Sequence, residues 1–244
     1  MFKLFHKIEE MLDGNDEKIA PEDKFFSNVV GYSDIKKLLL KCVLSRDPVN
    51  ILLIGPSSSS KTVFLLEILD GLDYTYFIDG VSASGAGMMD HLFRNDTKYL
   101  LIDEIDKMKK NDQAALLNVM ETGIVSETKL NGKTRQKKMK LWLFATSNNA
   151  KKLSIPLRSR FMELYLDEYT YEEFTEIVYR LLHKRYDLDA NLSEKIVHSV
   201  WNRLGSRDIR DAIRIAKLIK SSTDVDWLVD VQIKYGKNKA LNVR

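Results

Sequence analysis

A single cysteine, Cys42, leaves the chain without an internal disulfide and without a cysteine-cluster metal site. A reducing, cytoplasmic compartment is the expectation that follows. Only four prolines interrupt the 244 residues, so long helices are permitted. Long apolar runs are missing too. Ile51-Leu52-Leu53-Ile54, the strongest near the middle, is far too short to span a bilayer. Glu9, Glu10 and Asp13 break the apolar core that a signal peptide would need. Charge of one sign is not in excess: 38 Lys+Arg against 35 Asp+Glu give +3, so bulk charge does not announce a nucleic-acid binder. What is present, 44% hydrophobic and 30% charged residues, is ordinary for a globular protein and too apolar for a disordered one.

The order of elements is legible in outline. Residues 1–20 read as a short amphipathic helix, with Phe2, Leu4, Phe5, Ile8, Met11 and Leu12 near one face; packing within the chain or on a partner is the plain reading, membrane anchoring the other. Gly14–Asp23 is a polar linker, and a helix is expected over Asp34–Ser45. From there strands and helices alternate: Val49–Ile54, Lys61–Leu69, Tyr74–Ile78, Met88–Arg94, Tyr99–Ile102 and Asn111–Glu121. That alternation predicts a parallel sheet with helices on both faces. Asn131-Gly132 between Ile124–Leu130 and Met139–Ala145 signals a hairpin, whose second arm runs on into a central strand, Leu141–Ala145. After Tyr165 only helical periodicity remains, over Thr170–Tyr186, Leu192–Leu204, Arg207–Lys220 and Asp224–Tyr235. The expected organisation is an N-terminal helix (1–20), an α/β nucleotide-binding domain (21–167) and a small all-helical lid (168–244).

Two segments carry the chemistry. Gly55-Pro56-Ser57-Ser58-Ser59-Ser60-Lys61-Thr62 follows a strand and opens a helix, the context of a P-loop. Loop N–H groups and the helix N-terminus can cradle phosphate oxygens, Lys61 can reach the β- and γ-phosphates, and the Thr62 hydroxyl can face Mg²⁺. Ser60 stands where glycine is usual, and a serine-rich turn before a helix is the plainer alternative. About 40 residues on, Tyr99-Leu100-Leu101-Ile102 runs into Asp103-Glu104-Ile105-Asp106. Carboxylates at the end of a buried strand are costly unless partnered. Asp103 suits Mg²⁺, and Glu104 suits polarising an attacking water. The next strand, Leu143–Ala145, ends in Thr146-Ser147-Asn148, whose Asn148 amide could hold the lytic water or touch the γ-phosphate. Alone, that segment is equally a turn.

Taken together these segments resemble the AAA+ ATPases over roughly residues 26–220. Gly55–Thr62 looks like Walker A, Leu100–Asp106 like Walker B and Thr146–Asn148 like sensor 1. The hairpin at Gly123–Lys140 is similar to that of the branch containing RuvB-type Holliday-junction motors, MCM helicases and MoxR-type ATPases. MCM proteins also place a small non-glycine residue before the lysine. Val81–Asp106 reads most like RuvB, whereas Val119–Val125 is closer to MoxR and MCM. The resemblance implies ATP/ADP and Mg²⁺ as cofactors and hydrolysis of ATP in a homo-oligomeric ring, a hexamer in expectation. Val30, Gly31 and Tyr32 look like the segment that packs on adenine; a simple turn is the alternative. Pro156–Phe161 looks like the arginine-finger segment, with Arg160 the first choice and Arg158 the second. Gly205–Arg210 looks like sensor 2, with Ser206 as helix cap, Arg207 first and Arg210 second. Surface arginines paired with acidic residues are the bland reading of the first, and two solvated helix arginines that of the second.

The substrate is less determined. The hairpin carries Lys129, Lys133, Arg135, Lys137, Lys138 and Lys140, with no acidic residue over 128–140. Basic groups repeated around a ring would suit a DNA backbone. A protein partner, or a solvated edge whose lysines block aggregation, competes with that reading. Gly80–Met89 lacks the aromatic-apolar-Gly pattern of many unfoldases, and no room for a winged-helix domain is expected after the lid. A RuvB-like DNA-directed motor is the leading expectation. A MoxR-type protein-remodelling chaperone and an assembling nucleotide switch are the alternatives, and no membrane partner is expected.

Overall fold

A computed structural model describes residues 20–128, 134–219 and 221–236. They divide into two compact units. The first runs to Asp167 apart from Ser57–Ser59, and the second comprises Ser57–Ser59 and the residues from Glu168. The expected N-terminal helix over 1–20 lies almost wholly outside the described residues.

The first unit begins with helices α1 (Pro21–Phe25) and α2 (Ser33–Val43). Then β1 (Asn50–Ile54), α3 (Lys61–Gly71), β2 (Thr75–Asp79), α4 (Gly85–Arg94), β3 (Tyr99–Asp103) and α5 (Lys110–Thr122) alternate. The hairpin β4 (Ile124–Thr128) and β5 (Thr134–Lys138) follows, then β6 (Trp142–Ser147), short α6 (Ile155–Arg158) and β7 (Met162–Tyr165). The five main strands form one sheet in the order β2-β3-β6-β1-β7, every neighbour parallel.

Strand chemistry explains the layering. A strand covered on both faces needs apolar residues at every position, because successive side chains point opposite ways. Ile51, Leu53, Tyr99, Leu101 and Phe144 enter one core with Phe26, Leu39, Phe64 and Ile68. Leu52, Ile54, Leu100, Ile102, Leu143 and Ala145 enter the other with Met88, Leu92, Leu116 and Leu157. The result is the parallel α/β sheet, covered by helices on both faces, that the alternation predicts.

The hairpin departs from expectation in its return arm. The partner of Ile124–Thr128 is Thr134–Lys138, in register Ile124↔Lys138 and Thr128↔Thr134, not Met139–Ala145. The apolar run Leu141–Ala145 is claimed by the central sheet, where both faces are buried, whereas a two-stranded ribbon tolerates the polar arm. The Asn131-Gly132 turn lies outside the described residues. Gly123, at φ 65°, ends α5 in the left-handed conformation and accepts from Met139 N at 2.8 Å, which closes the base of the ribbon.

The second unit is helical: α7 (Tyr171–Tyr186), α8 (Ala190–His198) running into a π-turn (Ser199–Arg203), α9 (Ile209–Leu218) and α10 (Ser222–Tyr235). Thr170 and Glu173 form a capping box on α7. Asp208, not Ser206, caps α9 by accepting from Arg210 N at 2.9 Å; Ser206 Oγ instead accepts from Asp208 N and donates to Asp211. Phe174, Val178, Ile196, Val200, Ile215, Val225 and Val229 are buried. No helix among the described residues is long and apolar enough to cross a membrane.

Candidate functional site

β1 delivers the loop Gly55–Ser60 to the C-terminal edge of the sheet, where open α/β sheets bind ligands. Gly55 N donates to Ser147 O at 3.2 Å, fixing the start of the loop to the end of β6. Ser60 sits at φ −44°, so the backbone makes no demand for glycine there. Lys61, at the first position of α3, is 4% exposed and donates from Nζ to Gly55 O at 2.9 Å and to Pro56 O. Burial lowers its pKa to about 8, against the opposing pull of Asp103, Asp106 and Glu104.

One residue on, the Thr62 hydroxyl lies 3.0 and 3.1 Å from the two carboxylate oxygens of Asp103. Thr146, at the end of β6, donates to Asp103 Oδ1 and accepts from Glu104 N at 2.9 Å. Thus α3, β3 and β6 converge on one carboxylate. Gly80, after β2, completes the packing: its N–H reaches Asp103 O at 2.7 Å, and a Cβ there would lie 2.3 Å from Glu104 O.

Glu104 adopts φ 50°, a conformation uncommon for a non-glycine residue. It turns the chain sharply out of β3. Its Oε1 accepts from Asn148 Nδ2 at 3.0 Å. Asn148 is fixed from its backbone side as well, because Asp106 Oδ1 accepts from Asn148 N and from Ser147 Oγ, each at 3.1 Å. Asp106 is 6% exposed, so those hydrogen bonds satisfy a buried polar group. Thr146, Ser147 and Asp106 are organising residues whose side-chain bonds the motif pattern leaves unassigned. The one signal in the sequence is that they stand at or just beyond the ends of buried strands.

The adenine-side and arginine candidates are held by other contacts. Val30 is buried; Gly31 and Tyr32 have φ 71° and 55°. Tyr32 donates to Asp167 O at 2.8 Å and packs edge-on against Phe64 of α3. Arg158 grips Glu163 with two bonds, 2.6 and 2.7 Å, and Tyr165 donates to the same carboxylate at 2.9 Å. The Arg158 guanidinium holds the Glu163 carboxyl below the usual carboxylate range. Arg160 is bound differently, through one nitrogen to Glu121 and through another to Ser159 Oγ at 3.0 Å. In the second unit Arg207 stacks on Trp201, 3.5 Å from the ring centroid, and Arg210 pairs with Asp208 at 2.8 Å.

The basic hairpin is not a uniform comb of free cations. Lys137 donates to Asn95 O at 2.6 Å, Leu92 O at 3.4 Å and Asp96 at 3.2 Å, so it caps the C-terminal end of α4. Lys140 lies beyond the ribbon and pairs with Asp47 at 2.8 Å. Lys138 is exposed, and the Arg135 backbone stands opposite Glu127. Lys129 and Lys133 lie outside the described residues.

Residues 6–135 match the MCM P-loop domain family. The chain is similar to the DNA replication licensing factor Mcm6 of Drosophila melanogaster, 22% identical over 233 residues covering 79% of this chain and 28% of that protein. It is also similar to the DNA replication licensing factor MCM5 of Arabidopsis thaliana, 26% identical over 156 residues, 52% of this chain and 21% of that protein. The chain therefore spans under a third of these relatives. In fold it matches the Thermotoga maritima RuvB Holliday junction branch migration motor, with a TM-score of 0.63 at 23% identity, over 86% of this chain and 70% of that one. A mutant of Thermotoga maritima RuvB gives a TM-score of 0.65, also at 23% identity, over 84% and 72%.

Proposed function

The chain belongs to the MCM P-loop domain family of AAA+ ATPases, and on that premise we propose that it hydrolyses ATP between adjacent copies of itself and acts on DNA. The observation that carries the reading is the convergence of Thr62, Asp103 and Thr146, with Glu104 held by Asn148 beside it. Hydroxyl and carboxylate oxygens are the hard donors that Mg²⁺ prefers, so the donor set fits that ion, and Thr62 and Asp103 would hold it. When bound, Mg²⁺ draws charge from the β- and γ-phosphate oxygens.

This chain's own groups do the rest. Loop N–H groups and the N-terminus of α3 bind phosphate, and Lys61 Nζ exchanges its Gly55 and Pro56 carbonyls for phosphate oxygens. Asn148 anchors Glu104 Oε1, leaving Oε2 to accept the proton of the attacking water. Arg160 acts on the γ-phosphate in a neighbouring copy, where such a guanidinium contributes about 10³–10⁵ in rate. The assembly is a ring, and the exposed cations of the hairpin face DNA.

Glu104→Gln separates binding from hydrolysis. It is expected to bind ATP as the parent does while turnover falls about 10²-fold or more. Lys61→Ala is expected to lose both. An unchanged hydrolysis rate in Lys61→Ala would sink the reading.

A further inference from the structure

Two arginines flank Ser159, and the fold treats them unequally. Arg158 is committed: both of its contacts go to Glu163, a carboxylate that Tyr165 also engages. Arg160 has one contact to Glu121 and one to Ser159, and Ser159 Oγ is itself oriented by donating to Pro156 O at 2.7 Å. The Arg160 and Glu121 side chains are 44% and 40% exposed, so water and a neighbouring molecule can reach the pair. An exposed pair of this kind is weakly held and exchangeable. Glu121 occupies the last turn of α5, two residues before the left-handed Gly123 that opens the hairpin.

We propose that Glu121 is the positioning residue for Arg160, a latch that holds the guanidinium on its own subunit until a neighbour's phosphate displaces the carboxylate. The inference rests on Arg160 being the arginine finger. The exchange has a simple electrostatic reason. A guanidinium still paired with a carboxylate carries little net positive charge to a developing phosphate charge, so Glu121 must release it for the finger to act. Glu121 keeps this position because it lies in the last turn of a helix whose inner face, through Leu116 and Val119, is buried in the core.

Mixed assemblies test this. Arg160→Ala subunits have an intact nucleotide site and no finger; Lys61→Ala subunits supply a finger and no site. If mixing them restores no hydrolysis above either alone, the finger reading fails and the latch with it. If hydrolysis is restored, Lys61→Ala is replaced by the double variant Lys61→Ala/Glu121→Gln. The expected result is a rate about two- to five-fold higher, the range set by losing one exposed ion pair. An equal or lower rate overturns the latch. Pairing Arg160→Ala/Glu121→Gln with Lys61→Ala should match the original mixture, because Glu121 then has no Arg160 to hold. A changed rate there means that Glu121 acts by another route and overturns the proposal.

Discussion

The acidic end of β3, which β6 supports, and the basic ribbon of β4 and β5 carry opposite charge, and the fold handles the two charges in opposite ways. Around Asp103, Glu104 and Asp106, Thr62, Thr146, Ser147 and Asn148 supply hydrogen bonds from neutral side chains and a backbone N–H. These bonds orient the carboxylates, while the nearby Lys61 ammonium interacts with all three through its charge. On the ribbon, Lys137 is turned onto the carbonyl end of α4 and onto Asp96, and beyond it Lys140 is matched by Asp47. There charge is consumed in holding the fold. A run of like charges in a sequence is therefore a measure of functional capacity only after the intramolecular partners have been subtracted.

The harshest way to break the comparison is to remove Asp106. Its buried carboxylate satisfies Ser147 Oγ and Asn148 N together. Asp106→Ala leaves both donors without that acceptor in a site that water cannot easily enter, and about 3 kcal/mol of stability should be lost. Asn148 then loses its backbone anchor, so turnover should fall along with stability. Asp106→Asn keeps an acceptor oxygen and should recover most of the stability. Chemical denaturation of the three proteins, read beside their ATPase rates, checks the order.

Two neighbouring lysines sharpen the comparison from the basic side. Lys137→Ala removes a helix-terminal cation and should cost about 1 kcal/mol in folding stability. Lys138 is exposed, so Lys138→Glu should leave the melting temperature nearly unchanged. It should weaken binding to DNA and shallow the salt dependence by about one to two charges' worth of counterion release. DNA-stimulated turnover should fall with it. If both variants lose DNA binding equally and neither loses stability, the division of labour between these side chains is wrong.

That division explains what the sequence did and did not disclose. The sheet was legible because strands buried on both faces must be apolar throughout, and Ile51–Ile54, Tyr99–Ile102 and Leu143–Ala145 are. The P-loop and the acidic strand end were legible because their chemistry needs fixed residue types at fixed offsets along the chain. The return arm is not legible, because the ribbon is not buried on both faces and Thr134–Lys138 bears no apolar alternation. The partners of Arg160 and Lys137 were invisible because they are set by tertiary approach. Glu121 is separated from Arg160 by 39 residues and Asp96 from Lys137 by 41, and no local pattern encodes either pairing. The sequence points to Ser206 as the cap of α9, yet Asp208, two positions on and an equally good cap residue, serves, because backbone geometry chooses between them.

The far end of β3 provides the smallest effect and the cleanest control. Tyr99 begins the strand that Asp103 ends, is wholly buried and donates to Val43 O at 3.1 Å. Burial pushes its phenol up to about 12 from 10.0. The folded state thus holds the phenolic proton more tightly than the unfolded chain does. Stability from this group is complete below pH 10 and is lost as pH rises through about 12. Lys98, whose ammonium lies 4.7 Å from the Tyr99 ring centroid, is shifted down by burial and acts in the opposite sense, favouring the fold as it deprotonates. The difference between the parent and Tyr99→Phe cancels the lysine and isolates the phenol. At neutral pH that substitution should cost about 0.5–1 kcal/mol, and the alkaline decline should become shallower. ATPase activity at neutral pH should stay within about twofold of the parent, since a shift of under 1 kcal/mol at the opposite end of the strand disturbs none of the bonds around Asp103. A large loss of turnover in Tyr99→Phe without a loss of stability would show instead that the acidic end is positioned through the whole length of β3, and that the contrast with the ribbon is one of rigidity as well as charge.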